Sequence, residues 1–476
     1  MKKLFKDKQF FLAILTLVIP ITLQNLISSS LNMVDNVMIG RLGESSIAAV
    51  GLVNQYFFIF TLVLSGINAG AGIFMAQFWG RRDSTNIKKV LGLSLILGTV
   101  TSVVFTAIAL ISPESIMRIF TKDSEVIALG VNYLKVIAVT FMITNITQAY
   151  STGLRCTGLA KPPMFASLIG VLTNALLNWI LIFGEFGFPA MGVVGAAIAT
   201  AIARVVEVSV VLVYAYGGKT IVAAKMKDLF NMDLSFTKIY FKTSYSVILN
   251  EIVWSLGITT YSVIYAKIGI SEVASMQIAT TINNLFMVMG IGLAIAASIM
   301  VGNKIGAGEE KEAVDSAVKI GILAPIVGTV MGAALYIAAP FVVKAFNIQQ
   351  GTISSTIEVL KIMALIAPLR FFNVAMIVGV FRGGGDTTYS MLVQLGTVWC
   401  VSIPLGFIAA VYLKLTLPQV FFVICLEEVV KVVFEANRLR SGKWIKNVVA
   451  NIGSAGDTPC DISGDRHQRK EILEVI

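Results

Sequence analysis

Twelve mainly apolar stretches, most of them twenty or more residues long, leave this chain few folds to adopt. They lie near 10–38, 46–78, 91–112, 127–154, 163–184, 190–216, 243–267, 273–302, 316–339, 355–380, 389–411 and 416–436. About twenty apolar residues are what an α-helix needs to cross the hydrocarbon core of a bilayer. Backbone amides in that core must bond within their own segment, which makes each such run a helix. The expected fold is therefore an all-α membrane protein of about twelve transmembrane helices. Composition agrees, since 56% of the 476 residues are hydrophobic and only 13% are charged. Soluble domains carry about 25% charged residues.

The net charge of +10 would suit a nucleic-acid partner if it formed a basic face. It does not: the basic residues sit in the tails and between apolar blocks, so no nucleic acid is expected. Arg81, Arg82, Lys88, Lys89, Arg155, Lys161, Lys304, Lys311, Arg382 and the lysines of 217–242 all fall on the side of the two termini. The opposite side holds only Arg41, Arg118, Lys122, Lys267, Lys344 and Lys414. That asymmetry places both termini in the cytoplasm of a multi-pass protein of the plasma or inner membrane. The basic start followed by an apolar run resembles a signal peptide, but the run is too long and lacks a small-residue cleavage site. It reads as a retained first span. Cys156, Cys400, Cys425 and Cys460 form no CxxC, and the one histidine, His467, lies in the polar tail. Histidine-based catalysis and zinc chemistry are thereby excluded from the membrane body, and no enzyme activity is expected.

The chain repeats itself. Laying 39–49 over 265–275 brings Gly43 onto Gly269, a shift of 269 − 43 = 226. The same shift pairs Arg41 with Lys267, Gly66 with Gly292, Gln77 with Asn303, Gly80 with Gly306 and Asp83 with Glu309. It still holds at YLKVIA (133–138) over VLKIMA (359–364). One inserted residue later, LRCTG (154–158) falls on FRGGG (381–385). Six spans per repeat return the chain to the same side, which makes the repeats parallel, related by a pseudo-two-fold axis along the membrane normal. The expected domains are a six-helix lobe over 1–216, a cytoplasmic linker over 217–242, a second lobe over 243–437 and a disordered cytoplasmic tail over 438–476.

Six segments together carry a family resemblance: SSLNMVDNVMIGRLG (29–43), GINAGAGIFMAQFWGRRD (66–83), LRCTGLAKPPM (154–164), NALLNWILIFG (174–184), GVVGAAIATAIAR (192–204) and FRGGGDT (381–387). Through Lys446 the chain resembles the multidrug and toxic compound extrusion (MATE) transporters, in particular their prokaryotic DinF-like branch. The resemblance implies export of cationic or amphipathic compounds driven by inward sodium or proton flow. The glycines themselves read as packing and turn residues. No GK[ST] follows any glycine string, so neither a phosphate loop nor a nucleotide cofactor is expected.

Polar residues within the spans are the candidate machinery. Asp35 stands in a stretch with no other charge from Phe10 to Gly40, where a bare carboxylate is costly. Two readings stay open: an ion-coupling acid, or an interfacial residue paired with Arg41. The resemblance favours the first, since the family places an ion-binding acid at this motif position. It implies partners at Asn174, Asn178 and Thr200, which with Asp35 could form a sodium site. Asn174 and Asn178, four apart, share one helix face. Family members often have an acid where Asn178 stands, so this site keeps a single carboxylate. Glu251 on the seventh span matches a cation-binding acid of the family's other branch. That branch has a further acid on the tenth span, where this chain carries Arg370 instead. Opposite buried charges on separate spans suggest a Glu251–Arg370 pair, either a structural anchor or part of the coupling machinery. Arg204 with Glu207, and Glu427 with Lys431, read as helical ion pairs near span ends.

These readings converge on a monomeric secondary antiporter. It would export small organic compounds across the cell membrane in exchange for sodium ions or protons, by alternating access of two lobes, with lipid around it and no cofactor. The rival is a lipid-linked precursor flippase of the related superfamily, which would want a strongly cationic cavity.

Overall fold

The computed structural model describes residues 7–230, 234–344, 350–450 and 452, and among them the chain is helical with no strand. The first half forms α1 (Lys8–Gly40), α2 (Glu44–Gly80), α3 (Ser84–Ile111), α4 (Pro113–Phe120), α5 (Ser124–Ala138), α6 (Thr140–Cys156), α7 (Lys161–Phe183), α8 (Gly192–Gly217) and α9 (Met226–Phe230). The second half forms α10 (Leu234–Ile268), α11 (Ile270–Gly306), α12 (Glu310–Lys344), α13 (Gln350–Val374), α14 (Thr387–Thr397), α15 (Ile403–Phe407), α16 (Leu417–Ile424) and α17 (Leu426–Arg440). Three π-helical segments, Ala375–Phe381, Val398–Ser402 and Ile408–Tyr412, interrupt the second half.

Ten helices are long and apolar enough to cross a bilayer, counting Gln350–Phe381 and Thr387–Tyr412 as continuous, and α5 with α6, bent by 45°, supply an eleventh. In place of the twelfth expected span stand α16 and α17. Glu427, Glu428, Lys431 and Glu435 make α17 too polar to face lipid alone, and all four are buried in protein.

Local chemistry sets the boundaries. Asp83 caps α3 by accepting from the Asn86 amide, and Asp123 caps α5 through the amides of Glu125 and Val126. Gly184 ends α7 at φ 78°, a left-handed turn that glycine enters without strain.

The 226-residue repeat is written into the helix ends. α10 starts 234 − 8 = 226 residues after α1, and α12 starts 310 − 84 = 226 after α3. α11 follows α2 by 270 − 44 = 226, and both run for 37 residues.

Two compact units emerge. One comprises Leu23–Met75 and Asp83–Tyr240; the other comprises Met1–Thr22, Ala76–Arg82 and Phe241–Ile476. They are called the N unit and the C unit below. The N unit is built on an aromatic core in which Phe60 and Phe141 stack at 4.5 Å between ring centroids. The C unit packs Tyr261, Leu335, Leu360, Phe421 and their neighbours. Within the C unit the ends of α2 and α11 touch backbone to backbone. A Cβ on Gly80 would strike the Asn303 carbonyl, and one on Gly306 would strike the Gln77 carbonyl. Gln77 and Asn303 are themselves a repeat pair, so the contact is its own image.

The segments expected as linker and tail are partly ordered. Residues 217–230 pack on the N unit, where Lys88 pairs with Asp228 at 3.5 Å and Tyr216 donates to the Ala224 carbonyl. Past Arg440 the chain folds back onto the C unit. Trp444 is fully buried, Val448 N donates to Gln77 Oε1 at 2.9 Å, and Arg81 donates to the carbonyls of Val449 and Ile452. The rest of the expected tail, from 453 with Cys460 and His467, lies outside the described residues. Cys156, Cys400 and Cys425 are free thiols.

Candidate ion-coupling site

The four polar residues named for the first lobe meet in the N unit. Asp35 comes from α1, Asn174 and Asn178 from one face of α7, and Thr200 from α8. Asn178 Nδ2 donates to Asp35 Oδ1 at 2.5 Å and to Asn174 Oδ1 at 2.9 Å. Asn174 Nδ2 in turn donates to Thr200 Oγ1 at 3.0 Å. Both asparagines are fully buried, whereas Asp35 is only half-buried. The buried Tyr133 phenol adjoins Thr200 and lies within electrostatic reach of Asp35. Asn178 Oδ1 is buried with no hydrogen-bond partner. The group thus offers one carboxylate, one unused amide oxygen and hydroxyls; among the described residues no cation touches it, and Arg204 acts on Asp35 only from a distance. Arg41 pairs elsewhere: its guanidinium stands 6.0 Å from the centroid of the Phe183 ring.

A cavity of about 330 Å³ adjoins this network. Asn174 and Thr200 belong to its wall, with Asn54, Phe57, Phe58 and Arg204. Arg204 donates to Glu207 at 2.8 Å, and Glu207 also accepts from Ser167 at 2.8 Å. The pair forms as its spacing predicts, but it lines the cavity, a role its place near a span end did not suggest.

The C unit corrects the expected Glu251–Arg370 pair. Glu251 pairs with Arg382 at 2.8 Å, and Arg370 pairs with Glu428 at 3.2 Å. The sequence reading placed Arg382 in a cytoplasmic loop, yet it is buried at the end of the helix that continues α13. Arg370 and Arg382 are twelve residues apart, about 18 Å along a helix, so one glutamate cannot serve both depths. Glu428 was passed over beside Glu427. Its carboxylate also accepts from Asn373 at 2.7 Å. Lys431 joins Glu427 at 3.1 Å as expected and reaches Glu428 at 3.8 Å. Tyr261 donates to Ser402 at 2.8 Å and approaches Glu427 at 3.3 Å. Asp386 of the FRGGGD stretch is fully buried and accepts from Arg438 at 2.7 Å and Lys446 at 2.6 Å. The signal that could have found Glu428 was α17 itself, because a span with four charges must pair them internally.

Comparison with known proteins adds the following. The MatE family model matches residues 20–180 and 246–408, two stretches offset by 246 − 20 = 226. The probable multidrug resistance protein YoeA of Bacillus subtilis is 26% identical over 401 residues, covering 83% of this chain and 86% of that protein. The probable multidrug resistance protein NorM of Thermotoga maritima is 25% identical over 441 residues, covering 92% and 93%. Among solved structures, an outward-facing multidrug resistance MATE family transporter of the MOP superfamily superposes with a TM-score of 0.83 at 23% identity, over 90% of this chain and 96% of that one. At that identity the likeness speaks for the fold.

Proposed function

The chain belongs to the MatE family of multidrug efflux transporters, and from that premise we propose a secondary antiporter that exports organic compounds in exchange for protons or sodium ions. We take it to be a monomer with both termini in the cytoplasm. The observation that carries the reading is the unbroken hydrogen-bonded line from Asp35 through Asn178 and Asn174 to Thr200, whose last two members are cavity wall.

The line turns on Asn178, whose amide donates to Asp35 on one side and to Asn174 on the other, while Asn174 donates onward to Thr200. An ionised Asp35 accepts from Asn178, which leaves Asn174 free to hold Thr200. A proton on Asp35 removes its charge and makes one of its oxygens a donor, which weakens the bond from Asn178 and changes the balance of bonds along the line to the cavity wall. A sodium ion would do the same by taking the carboxylate together with the unused Asn178 oxygen. Either ion biases the wall toward one arrangement, and a substrate that prefers the other is linked to it by reciprocal coupling. Phe57 and Phe58 suit flat apolar substrates, while the polar wall residues orient them. The flippase alternative gains nothing here, since Arg370 and Arg382 are each neutralised by a glutamate.

The test is efflux of ethidium from proteoliposomes under separately imposed pH and sodium gradients, without nucleotide. One gradient should drive efflux and the other should not. A strict ATP requirement, or efflux indifferent to both gradients, would overturn the proposal.

A further inference from the structure

α17 carries Glu427, Glu428, Lys431, Glu435 and Arg438 at spacings of three and four, which stacks them along one side of the helix. The upper part of this ladder is complete. Arg370 and Lys431 supply two positive charges, Glu427 and Glu428 supply two negative ones, and all four are joined by ion pairs.

Glu435, one turn beyond Lys431, lies within electrostatic reach of that lysine and of Glu428 but forms no ion pair with a cation among the described residues. It is 0% exposed, and neither carboxylate oxygen has a hydrogen-bond partner. Lys431, Tyr389, Arg438 and Lys446, the donors on its own helix, on α14 and on the fold-back, are engaged elsewhere. Lys431 is held by Glu427 and Glu428. Tyr389, which reaches Glu435 electrostatically from α14, donates its hydroxyl to the Phe434 carbonyl at 2.9 Å. Arg438 and Lys446 are turned to Asp386. An ionised Glu435 would be sealed from water with no hydrogen bond, offset only by a Lys431 already shared between two other glutamates, a costly state for a carboxyl. A cation bound there would face the Lys431 ammonium on the adjoining turn. The species that fits is the neutral acid.

We propose that Glu435 is a proton-binding site of the C unit, loaded in this conformation and separate from Asp35. The proposal rests on the antiporter reading for its role in transport, though not for the proton itself. One O–H bond forms with a proton from water and later breaks to return it. Because α17 packs against α13 and α14, water reaches Glu435 only when that packing opens. Proton exchange at Glu435 is thus tied to a rearrangement of the C unit. Arg370, Glu428, Lys431, Tyr389, Arg438 and Asp386 are the charged and titratable groups that set its balance.

The experiment has two readouts on purified protein. The first is the infrared carbonyl stretch of protonated carboxyls at neutral pH. Glu435→Gln should lose one component of that band, and Asp35→Asn should retain it. Glu435→Asp, which keeps the acid, should shift the component and serves if the glutamine variant does not fold. The second is protons taken up per ethidium exported in proteoliposomes, expected to fall by one in Glu435→Gln. An unchanged infrared band would overturn the proposal, and so would a lost band with an unchanged proton count. If the wild type moves no ethidium under any gradient, the antiporter reading fails, while the infrared result still decides the proton site.

Discussion

Asp35 and Tyr261 occupy the same register of the two repeats, 261 − 35 = 226, yet their surroundings are built on opposite rules. Asp35 is an acid held by the neutral amide of Asn178. Tyr261 is a neutral phenol set against the acid Glu427, which is held by the cation Lys431. A carboxylate bonded to amides can gain or lose a charge while its partners only reorient. A carboxylate bonded to buried lysine or arginine cannot, because neutralising it strands the opposite charge in a medium that will not solvate it. We therefore propose that Asp35 carries a movable charge, whereas the paired glutamates of the C unit are held fixed.

The strongest way to break this contrast is Asp35→Asn. The asparagine can still accept from Asn178, so folding should be preserved to within about 1 kcal/mol. Gradient-driven ethidium efflux should nonetheless drop to the leak of empty vesicles. Wild-type rates from the variant would mean that the movable charge lies elsewhere.

Next in size is a pair of double-mutant cycles read by thermal unfolding. Arg370→Gln should destabilise the protein by about 1–3 kcal/mol, since it leaves buried Glu428 with only the longer pair to Lys431, which Glu427 shares. Adding Glu428→Gln should recover part of that loss, with a coupling of about 0.5–3 kcal/mol. The cycle of Arg370 with Glu251 should be additive to within about 0.5 kcal/mol, because each has another partner. Coupling in the second cycle and none in the first would reverse the assignment of pairs.

The smallest effect sharpens the comparison from within the N unit. Asn178→Ala keeps Asp35 and the cavity but removes the link between them. Efflux should fall about tenfold at a fixed gradient, equivalent to about 1.4 kcal/mol of coupling. Ethidium affinity measured without a gradient should change little. A variant as active as the wild type would show that Asp35 does not act through the asparagines.

The fold was legible because lipid leaves the backbone little choice. Long apolar runs had to be helices, and the 226-residue offset read from matched loops returned in the helix starts, although the sequence reading began the seventh and ninth spans later, at 243 and 316. Asp35 was conspicuous as the one charge in an apolar helix, and the spacing of four put Asn174 and Asn178 on one face, but it was the family resemblance that named those two and Thr200 as its partners. Pairing in the C unit was not legible. Opposite signs say that charges must be compensated but not at what depth, and Arg382 was counted with the loops because a helix end looks like a loop in sequence. Glu435 was missed because its meaning lies in what its neighbours are already bonded to. The fold-back past Arg440 went unseen as well. One buried tryptophan and two arginine-bound carbonyls anchor a stretch whose composition suggested a free tail.

The π-helical segment Ala375–Phe381 sits where the repeats fall out of step. The offset is 226 at Tyr133 and Val359 but 382 − 155 = 227 at Arg155 and Arg382, so the second half has one extra residue in between. A residue added to an α-helix either bulges out as a π turn or turns everything beyond it by about 100° and advances it about 1.5 Å. Here it bulges, and Arg382 keeps an azimuth from which it can reach Glu251. Without the bulge, the extra residue would turn Arg382 by about 100° round the helix axis, away from Glu251. One surplus residue, absorbed as a π turn, is thus what keeps this ion pair closed in the second half.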